Sequence, residues 1–544
     1  MIKVTIYLLF LLSFDSSGAG THHLSSLLLP SPATPPLAAN AEIYVDGTSG
    51  SDANPGTQAR PFKTIKKASQ LIAANRPYNI PTIVTINPGI YREFIQISGT
   101  DPNVGPAVTF QASQAGQVVI SGSDVWAGWQ RDPANPSRYA HAWPFRWGNC
   151  TVPSGGPSVQ PIVLRREMIF VNGKLLNQVL SGTQTEPGSF YIDEANGRAY
   201  IWPPAGTDLA TSTVEVATRA QLLESYRVPH LTLSGLVFEH ASSCISTPQR
   251  SAVALVDATD QLIEDSSIEW NNWIGLTLFG VTNSTARETA VNHNGEMGID
   301  GYKLKNISME GVETSYNNWR GAWGHFVTWE TGGAKFLLLH GGVFNNYTAI
   351  GNQGRGIWFD TDNMDITIDH AFLAQNLVGG IDLEANMGPF AIQDSRICNN
   401  QREGVQNNDS ESVRLVGNVI YNNQKGQIMI FGGSEPRAGI NWETHAAFEA
   451  TSGKWFLSGN TIMGADAKQP VYETLLFPGQ VPGDFLTTLS SDYNTWFNPQ
   501  NRSAFHMGPN QDVDFPAWQS LSSQDKHSNF ASPPIDPVTL CTAP

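Results

Sequence analysis

The sequence predicts an all-β chain that folds as a parallel β-helix, a solenoid whose coils stack as parallel strands. Seven short segments repeat one pattern, in which a glycine precedes four residues that alternate between apolar and larger or polar. The repeated glycines are Gly275, Gly298, Gly321, Gly356, Gly380, Gly404 and Gly426. Their positions are spaced almost evenly, except for one long step between Gly321 and Gly356. One structural unit therefore recurs, with a single long insertion.

Two outward columns of side chains follow from this pattern, because successive residues of a strand face opposite sides. The first and third positions after the glycine are mostly Ile, Leu, Val, Ala or similar residues and are expected to face the core. The second-position column reads Thr277, Asp300, Trp323, Trp358, Asp382 and Gln406, and the fourth-position column reads Phe279, Tyr302, His325, Asp360, Glu384 and Asn408. Such a face suits a carbohydrate, since sugar rings stack on aromatic faces and hydroxyls bond to carboxylates and amides.

Asp360 and Glu384 occupy the same slot of consecutive repeats and are the predicted catalytic residues. Neighbouring strands lie ~4.8 Å apart. The carboxyl groups of a retaining glycosidase stand ~5–5.5 Å apart, and those of an inverting enzyme ~6.5–9.5 Å apart. Adjacent strands therefore favour retention. Asp300 and Asp382, in the companion column, are expected to contact sugar or to tune the pair.

The long repeat unit is expected to overhang this face. Its extra residues fall after His325 and include Thr328 to Lys335. Trp329 and Glu330 are predicted to wall the pocket, and Gly332 and Gly333 to let the chain turn back. Predicted substrate contacts are therefore Asp300, Tyr302, Trp323, His325, Trp329, Glu330, Trp358, Asp382 and Asn408.

The scaffold shows further columns between consecutive repeats. Inward apolar columns are Ile366/Phe390/Val413, Ile368/Ile392/Leu415 and Leu373/Ile397/Ile420, and a polar column is Asn376/Asn400/Asn423. Asparagine tolerates left-handed backbone, and its amide can bond to the copies above and below. The asparagine column is therefore predicted to be structural.

Five regions follow along the chain. They are a signal peptide with a Pro-rich leader (1–41), an N-terminal cap and first coils (42–122), an inserted β-sandwich (123–220), the main parallel β-helix (221–475) and a C-terminal extension or cap (476–544). The apolar run from Val4 to Phe14 is typical of a secretory signal. Apolar spacing from Thr64 to Asn75 predicts an amphipathic helix that plugs the open end of the solenoid.

Composition limits the partners. A net charge of −16 argues against nucleic acid, which requires a basic face. The expected partner is a carbohydrate, with no membrane association after signal removal, and the oligomeric state stays open. Four cysteines, at positions 150, 244, 398 and 541, have no metal-type spacing. Disulfides and isolated buried thiols are both open, and no metal or cofactor is required.

Three segments resemble the β-helical β-xylosidase family of glycoside hydrolases. They are Gly356-Ile-Trp-Phe-Asp-Thr361, Gly380-Ile-Asp-Leu-Glu-Ala-Asn-Met-Gly-Pro389 and Glu330-Thr-Gly-Gly-Ala-Lys335. The resemblance implies a right-handed parallel β-helix carrying a β-sandwich, a secreted enzyme, Asp360 as nucleophile and Glu384 as acid/base. It leaves the sugar, and exo or endo action, open.

Two other functions stay open. A polysaccharide lyase or uronate epimerase would use acids to hold Ca²⁺ and a Lys or Arg to remove a proton α to a carboxyl group. As aligned here, the columns carry no basic residue in a central slot, although Lys303, Lys305, Arg320, Lys335 and Arg355 lie nearby in sequence. The other alternative is a non-catalytic carbohydrate-binding surface solenoid, because fold does not dictate function.

Overall fold

The computed structural model describes residues 40–152, 156–245, 251–477, 479–534 and 536–542. The predicted signal peptide and leader lie outside the described residues, apart from the last two positions of the leader. The described chain is a solenoid with three parallel faces, as the repeat predicts. One turn of the chain contributes a strand to each face, and the next turn pairs with it in parallel.

Face one carries the predicted columns. Its strands are Ile95–Ser98, Leu223–Tyr226, Ser251–Val256, Ile274–Phe279, the first part of Met297–Glu310, the first part of Gly332–Asn345, Arg355–Asp360, Gly379–Glu384, Glu403–Asn408, Ile428–Phe431, Tyr472–Leu475 and Phe505–His506. The short strand Asp512–Val513 adds to the last of these in antiparallel fashion.

Face two follows face one along each coil. Its strands are Ala41–Val45, Thr82–Ile86, Val108–Ala112, Leu231–Ser234, Leu262–Glu264, Thr282–Arg287, the second parts of Met297–Glu310 and Gly332–Asn345, Met364–Asp369, Phe390–Gln393, Val413–Val416, Phe456–Ser458 and Ser490–Asp492.

Face three completes the coil. Its strands are Gly89–Tyr91, Val118–Ser121, Leu236–Glu239, Ser267–Glu269, Thr348–Ile350, Phe372–Ala374, Arg396–Cys398, Val419–Tyr421, Thr461–Met463, Thr495–Phe497 and Asn529–Phe530. Parallel pairing continues past residue 475, where the sequence analysis placed a C-terminal extension. The period lengthens there, which hides the last coils from a search for the repeat.

The predicted core columns are confirmed. Ile366 pairs with Phe390 and Phe390 with Val413, and the other two apolar columns stack in the same way. The asparagine column is longer than predicted. Its side-chain amides bond to one another at 2.8–3.2 Å through Asn271, Asn294, Asn317, Asn352, Asn376, Asn400 and Asn423. These buried amides satisfy one another, as a structural role requires.

The region between residues 123 and 217 leaves the solenoid and forms two mainly antiparallel sheets. One contains Ser123–Val125, Val214–Ala217, Ile169–Val171 and Lys174–Leu175; the other contains Gln130–Asp132, Asn135–Ala142, Arg198–Trp202, Ser189–Asp193 and Asn177–Val179. Each sheet contains a tight hairpin: Ile169–Val171 pairs with Lys174–Leu175 through left-handed Asn172 and Gly173, and Ser189–Asp193 pairs with Arg198–Trp202. Trp143 is buried in this core, with Trp126, Trp129 and Trp147 packed against it.

Helices close the ends and corners. They are Ile65–Asn75, Trp319–Trp323, Phe485–Thr488, Phe515–Ser522 and Pro537–Leu540, with 3₁₀ turns at Arg76–Tyr78 and Gly182–Gln184. The predicted first helix is confirmed, and the Thr64 hydroxyl caps it by accepting a hydrogen bond from the Lys67 amide. None of the helices in the described residues is long and apolar enough to cross a membrane.

All four cysteines are paired, which resolves the alternative that the sequence leaves open. Cys150 bonds to Cys244, and Cys398 bonds to Cys541. The first bond links the segment that follows the sandwich strand Asn135–Ala142 to the solenoid. The second links the C-terminal helix to face three. Each closes a long loop and so restricts the unfolded chain.

Candidate active site

One of the strands predicted for face one is absent from the described part of the structure. Gly321 to His325 is not a strand, because Trp319–Trp323 is a short helix. Arg320 fixes it there: this buried guanidinium donates to Asn272 Oδ1 at 2.7 Å and 2.9 Å, to Gln178 Oε1 at 2.6 Å and to the Glu167 carbonyl at 2.7 Å. These bonds join the helix to both the solenoid and the sandwich.

The strand that takes this place is Gly332–Asn345. Lys335 pairs with Asp300 on one side and Trp358 on the other, and Leu337 pairs with Tyr302 and Asp360. The second-position column therefore holds Lys335 where Trp323 was predicted, and the fourth-position column holds Leu337 where His325 was predicted. Trp323 lies under the Arg320 guanidinium, 4.8 Å from ring centroid to Cζ, and His325 is exposed on the corner.

The register is confirmed for the segments that begin at Gly275, Gly298, Gly356, Gly380 and Gly404. The segment at Gly426 is one residue out of the predicted register, because Ile428 pairs with Val405 and Ile430 with Asn407. Asp360 pairs directly with Glu384, and Glu384 with Asn408. Asp360 and Glu384 close their strands on face one, just before the chain turns into face two. Their side chains are 16% and 20% exposed, which leaves both reachable from solvent but largely desolvated.

Asp360 has a cation of its own. Lys335 Nζ lies 2.9 Å from Asp360 Oδ2, and Thr361 Oγ1 donates to Asp360 Oδ1 at 2.9 Å. Burial lowers the pKa of Lys335, but the charges of Asp360, Glu330 and Glu384 outweigh it, so the net pKa is raised. The lysine is therefore ammonium at neutral pH and stabilises the ionised form of Asp360.

Glu384 is in a different state. Burial is the main factor that raises the pKa of Glu384 to about 7, and the charges of Asp360 and Asp382 add to it. Arg437 opposes the rise, donating from Nη2 to Glu384 Oε1 at 2.9 Å. Two carboxyl groups in the same slot of adjacent strands thus lie in different surroundings: Asp360 contacts a buried ammonium group, whereas burial raises the pKa of Glu384 toward neutrality.

Asp382 lies beneath this pair rather than beside the solvent. Its side chain is 3% exposed and accepts a hydrogen bond from Arg355 Nε at 2.5 Å. Asn408 Nδ2 and Gln406 Nε2 approach the Asp382 carboxylate at 3.4 Å. Burial raises the pKa of Asp382, and Arg355 lowers it. Of the two roles predicted for Asp382, the burial favours tuning the pair over direct contact with sugar.

The predicted aromatic contacts divide into buried and accessible ones. Trp358 is 7% exposed, with Lys335 Nζ 3.7 Å and Arg355 Cζ 4.2 Å from its ring centroid, so it supports these cations. Tyr302 is half-buried and stacks on Phe279 at 5.1 Å. Trp329 is half-buried against Phe326, 6.0 Å between ring centroids.

Two walls flank the columns. The first is the chain between Trp319 and Thr331, where the predicted overhang begins: Glu330 reaches Lys335 at 3.9 Å, and the Thr328 carbonyl accepts from Arg355 at 2.6 Å. Asp300, the outward residue of the preceding coil, pairs with Lys335 on the open face between the walls.

The second wall, which the sequence analysis missed, is a hairpin of Arg437–Ile440 and Ala447–Ala450. Its tip returns toward earlier coils. There the Trp442 amide donates to Asp362 Oδ2 at 2.8 Å, and Glu443 contacts Lys305 at 2.8 Å and His340 at 3.4 Å. The open groove between the two walls therefore runs parallel to the solenoid axis.

Three basic residues of the site were not among the predicted site residues: Lys335, Arg355 and Arg437. The sequence marks them to different degrees. Gly333 precedes Gly356 by the same step that separates Gly298 from Gly321, so Lys335 fits the repeat as well as Trp323 does. Arg355 immediately precedes a repeat glycine, which is a weaker signal. Arg437 lies in a hairpin outside the repeat, and no sequence pattern marks it.

One side-chain group in the described residues has ligand atoms close enough together to hold a metal ion: Asp369, His370 and Asp394. These residues lie at the ends of face-two strands, and Asp369 Oδ1 already contacts His370 Nδ1 at 2.7 Å. They are separate from the catalytic pair, and His370 and Asp394 are exposed.

A family model described as a right-handed β-helix region matches residues 251–442. The chain is a right-handed parallel β-helix. A structure titled as XylC in complex with xylose superposes with a TM-score of 0.63 at 14% identity, covering 90% of this chain and 86% of that chain. A structure titled as a glycoside hydrolase covers 90% of this chain and 96% of that chain, at 12% identity and a TM-score of 0.45. At these identities, the likeness concerns the fold.

Among curated proteins, YwoF of Bacillus subtilis (strain 168) is 40% identical over 85 residues. The match spans 15% of this chain and 16% of that protein. Its name describes it as uncharacterised, so it assigns no activity to the shared segment.

Proposed function

We propose that the chain is a secreted retaining glycoside hydrolase that acts on β-xyloside-like substrates and needs no cofactor. The observation that carries the proposal is the pairing of Asp360 with Glu384 in one slot of adjacent strands, in different surroundings. Lys335 Nζ lies 2.9 Å from the Asp360 carboxylate, and burial raises the pKa of Glu384 to about 7. Retaining hydrolysis needs this division of labour at this strand spacing.

In the first step, a carboxylate oxygen of Asp360 attacks the anomeric carbon, while Glu384 gives its proton to the departing glycosidic oxygen. The bond to the leaving group breaks as the bond to Asp360 forms. Lys335 Nζ lies 2.9 Å from the attacking carboxylate of Asp360, and Thr361 fixes the rotation of that carboxylate through the 2.9 Å hydrogen bond. Because both carboxyl groups are largely desolvated, these interactions are stronger than they would be in water.

In the second step, Glu384 removes a proton from water as the water attacks the anomeric carbon and displaces Asp360. A group whose pKa lies near neutrality serves as acid and base in turn. Burial, helped by the charges of Asp360 and Asp382, raises the pKa of Glu384 to about 7, and Arg437 limits the rise. Two inversions retain the configuration of the sugar.

Sugar contacts are proposed along the open face of the groove. Glu330 is 24% exposed on the first wall, and Tyr302 is a half-buried aromatic ring on an outward slot. Three further half-buried residues lie nearby: Asp300 and Asn408 in the outward columns, and Trp329 on the first wall. Xylose in the structure titled XylC with xylose supports a pentose as the first sugar to test.

A lyase or epimerase is the second candidate, because Lys335 puts a basic residue in a central slot of the columns. A base that removes a proton α to a carboxyl group must first be neutral. The raised pKa of Lys335 and its 2.9 Å contact with Asp360 keep it charged. Hydrolysis therefore accounts better for the same residues. A non-catalytic solenoid would have no need of two desolvated carboxyl groups of which one contacts a buried cation and the other has a raised pKa.

Export is proposed from the predicted signal peptide and is supported by the two disulfides, which persist in oxidising compartments.

The reaction products test the proposal. Aryl β-xylosides and plant polysaccharides are expected to release reducing sugar, without an unsaturated ultraviolet-absorbing product, and with full activity in the presence of a chelator. Product configuration, followed by NMR from the first turnovers, is expected to be β. An unsaturated product, or loss of activity with chelator that Ca²⁺ restores, would establish the lyase alternative.

Removal of the Arg437 charge is expected to change the pH profile. In Arg437→Met, the alkaline limb of kcat/KM, which reports protonated Glu384 in the free enzyme, moves upward by about one pH unit because the opposing cation is lost. The exposed residue Arg414 supplies the control Arg414→Met, which leaves the limb in place. An unchanged limb in Arg437→Met would contradict the assignment of Glu384 as the acid.

A further inference from the structure

We propose a distal sugar subsite, formed by Phe431 and Phe477, on the leaving-group side of the catalytic pair. This inference rests on the proposed function and extends it to oligosaccharides. The two rings lie 5.7 Å apart between centroids, at an interplanar angle of 39°. Together they are called the distal platform.

The register places Phe431 in line with the catalytic residues. Glu384 pairs with Asn408 on the next strand, and Asn407 pairs with Ile430 on the strand after, so Phe431 follows Asn408 in the same outward column. Ile428 and Ile430 of that strand are fully buried, whereas Phe431 is partly exposed. Two strand steps separate Phe431 from Glu384, or about 10 Å.

The order of the two catalytic residues along the column determines on which side the leaving group lies. The acid/base must reach the departing oxygen, and the nucleophile must reach the anomeric carbon. Because Glu384 lies one strand beyond Asp360, the leaving group extends toward Asn408 and then Phe431. The first wall contacts Arg355 at the start of its strand and the second contacts Glu384 at the end of its strand, so the walls flank this axial path. A first leaving-group sugar would lie over Asn408 and a second over Phe431.

The platform has the chemistry of a sugar-stacking surface. Phe477 is 50% exposed, and Val481 beside it is 66% exposed, whereas the three residues before Phe431 in its column, Asp360, Glu384 and Asn408, are polar. Backbone bonds hold the two segments together: the Gly483 amide donates to the Gly432 carbonyl at 2.7 Å, and the Ser434 amide to the Val481 carbonyl at 2.9 Å. An exposed but fixed aromatic pair binds the apolar face of a pyranose ring at low entropic cost.

Chain-length dependence tests the subsite. With the full chain, kcat/KM is measured by product chromatography on xylobiose, which ends over Asn408, and on xylotriose, which reaches the platform. The ratio of xylotriose to xylobiose is expected to be about tenfold in the parent enzyme, and to fall toward one in both Phe431→Ala and Phe477→Ala. The exposed Tyr493, on a different face, supplies the control Tyr493→Ala, which keeps the parent ratio.

The outcomes separate the two proposals. No hydrolysis of an aryl β-xyloside or of either oligosaccharide by the parent enzyme would overturn the proposed function. Hydrolysis with a ratio near one in the parent, or an equal loss on both substrates in both variants, would overturn the distal subsite alone. Sedimentation that shows a dimer dissolved by Phe477→Ala would assign the platform to a second copy of the chain instead, and would also overturn the subsite.

Discussion

Asp360→Ala is expected to reduce kcat on an aryl β-xyloside by at least about 10³-fold, because no covalent intermediate can form without the nucleophile. The loss follows from the site as built. Lys335 lies 2.9 Å from Asp360 and would be left as a buried ammonium without its nearest partner. Glu384 and Asp382 cannot substitute, since Glu384 is needed in its protonated form and Asp382 is 3% exposed.

Azide gives this prediction a stereochemical readout. In the cavity that the substitution leaves, azide is expected to attack the anomeric carbon directly and to yield the glycosyl azide of inverted configuration. The matched control is Asp365→Ala, because Asp365 is an exposed acid on the next strand, on face two. Its activity should stay within twofold of the parent enzyme. Circular dichroism checks that both variants keep their strands. Full activity of Asp360→Ala would exclude Asp360 as the nucleophile.

The sequence predicts the scaffold well, because its evidence is local and repeated. Inward apolar residues and buried asparagines recur at the coil period, and each must match the copy in the next coil. The pairing of Asp360 with Glu384 follows directly from the step between Gly356 and Gly380. Where two consecutive coils have nearly equal length and no insertion, register is thus readable from the chain.

The same evidence fails at the long coil. Gly321 follows Gly298 by one repeat step, and Gly333 precedes Gly356 by the same step, so both glycines fit the repeat. Nothing local distinguishes them. The choice depends on Arg320, whose buried guanidinium bonds to Asn272, Gln178 and the Glu167 carbonyl. Those contacts join residues far apart in the chain, so they become visible only in the folded protein.

The long coil matters for chemistry, because its strand places Lys335 in a site where acids and cations alternate. Lys335 contacts Asp360, Arg355 contacts Asp382, and Arg437 contacts Glu384. Each acid in this compact group thus has one cation, and the three cations come from different parts of the chain. Three acids this close would otherwise repel one another and raise each other's pKa. The distinct environments suit the acids to different roles: Asp360 lies against Lys335, and Glu384 has a pKa raised mainly by burial.

The loss of activity in Glu384→Ala is expected to depend on the leaving group of the substrate. With a sugar leaving group, which needs protonation, kcat/KM should fall by about 10³-fold. With an activated dinitrophenyl β-xyloside, the first step needs no acid, so the glycosyl enzyme forms on Asp360 and accumulates because no base activates water. A burst of dinitrophenol followed by a slow steady state is the expected time course.

Azide then distinguishes Glu384 from Asp360. Azide needs no general base, so it should accelerate turnover of Glu384→Ala on the activated substrate and yield a glycosyl azide of retained configuration, the opposite anomer to that from Asp360→Ala. Glu449→Ala is the control, because Glu449 is an exposed acid on the hairpin that also carries Arg437. If both catalytic-site variants gave the same anomer, the roles assigned to the two carboxyl groups could not both hold. If Glu384→Ala hydrolysed all substrates at the parent rate, its raised pKa would reflect burial without catalysis.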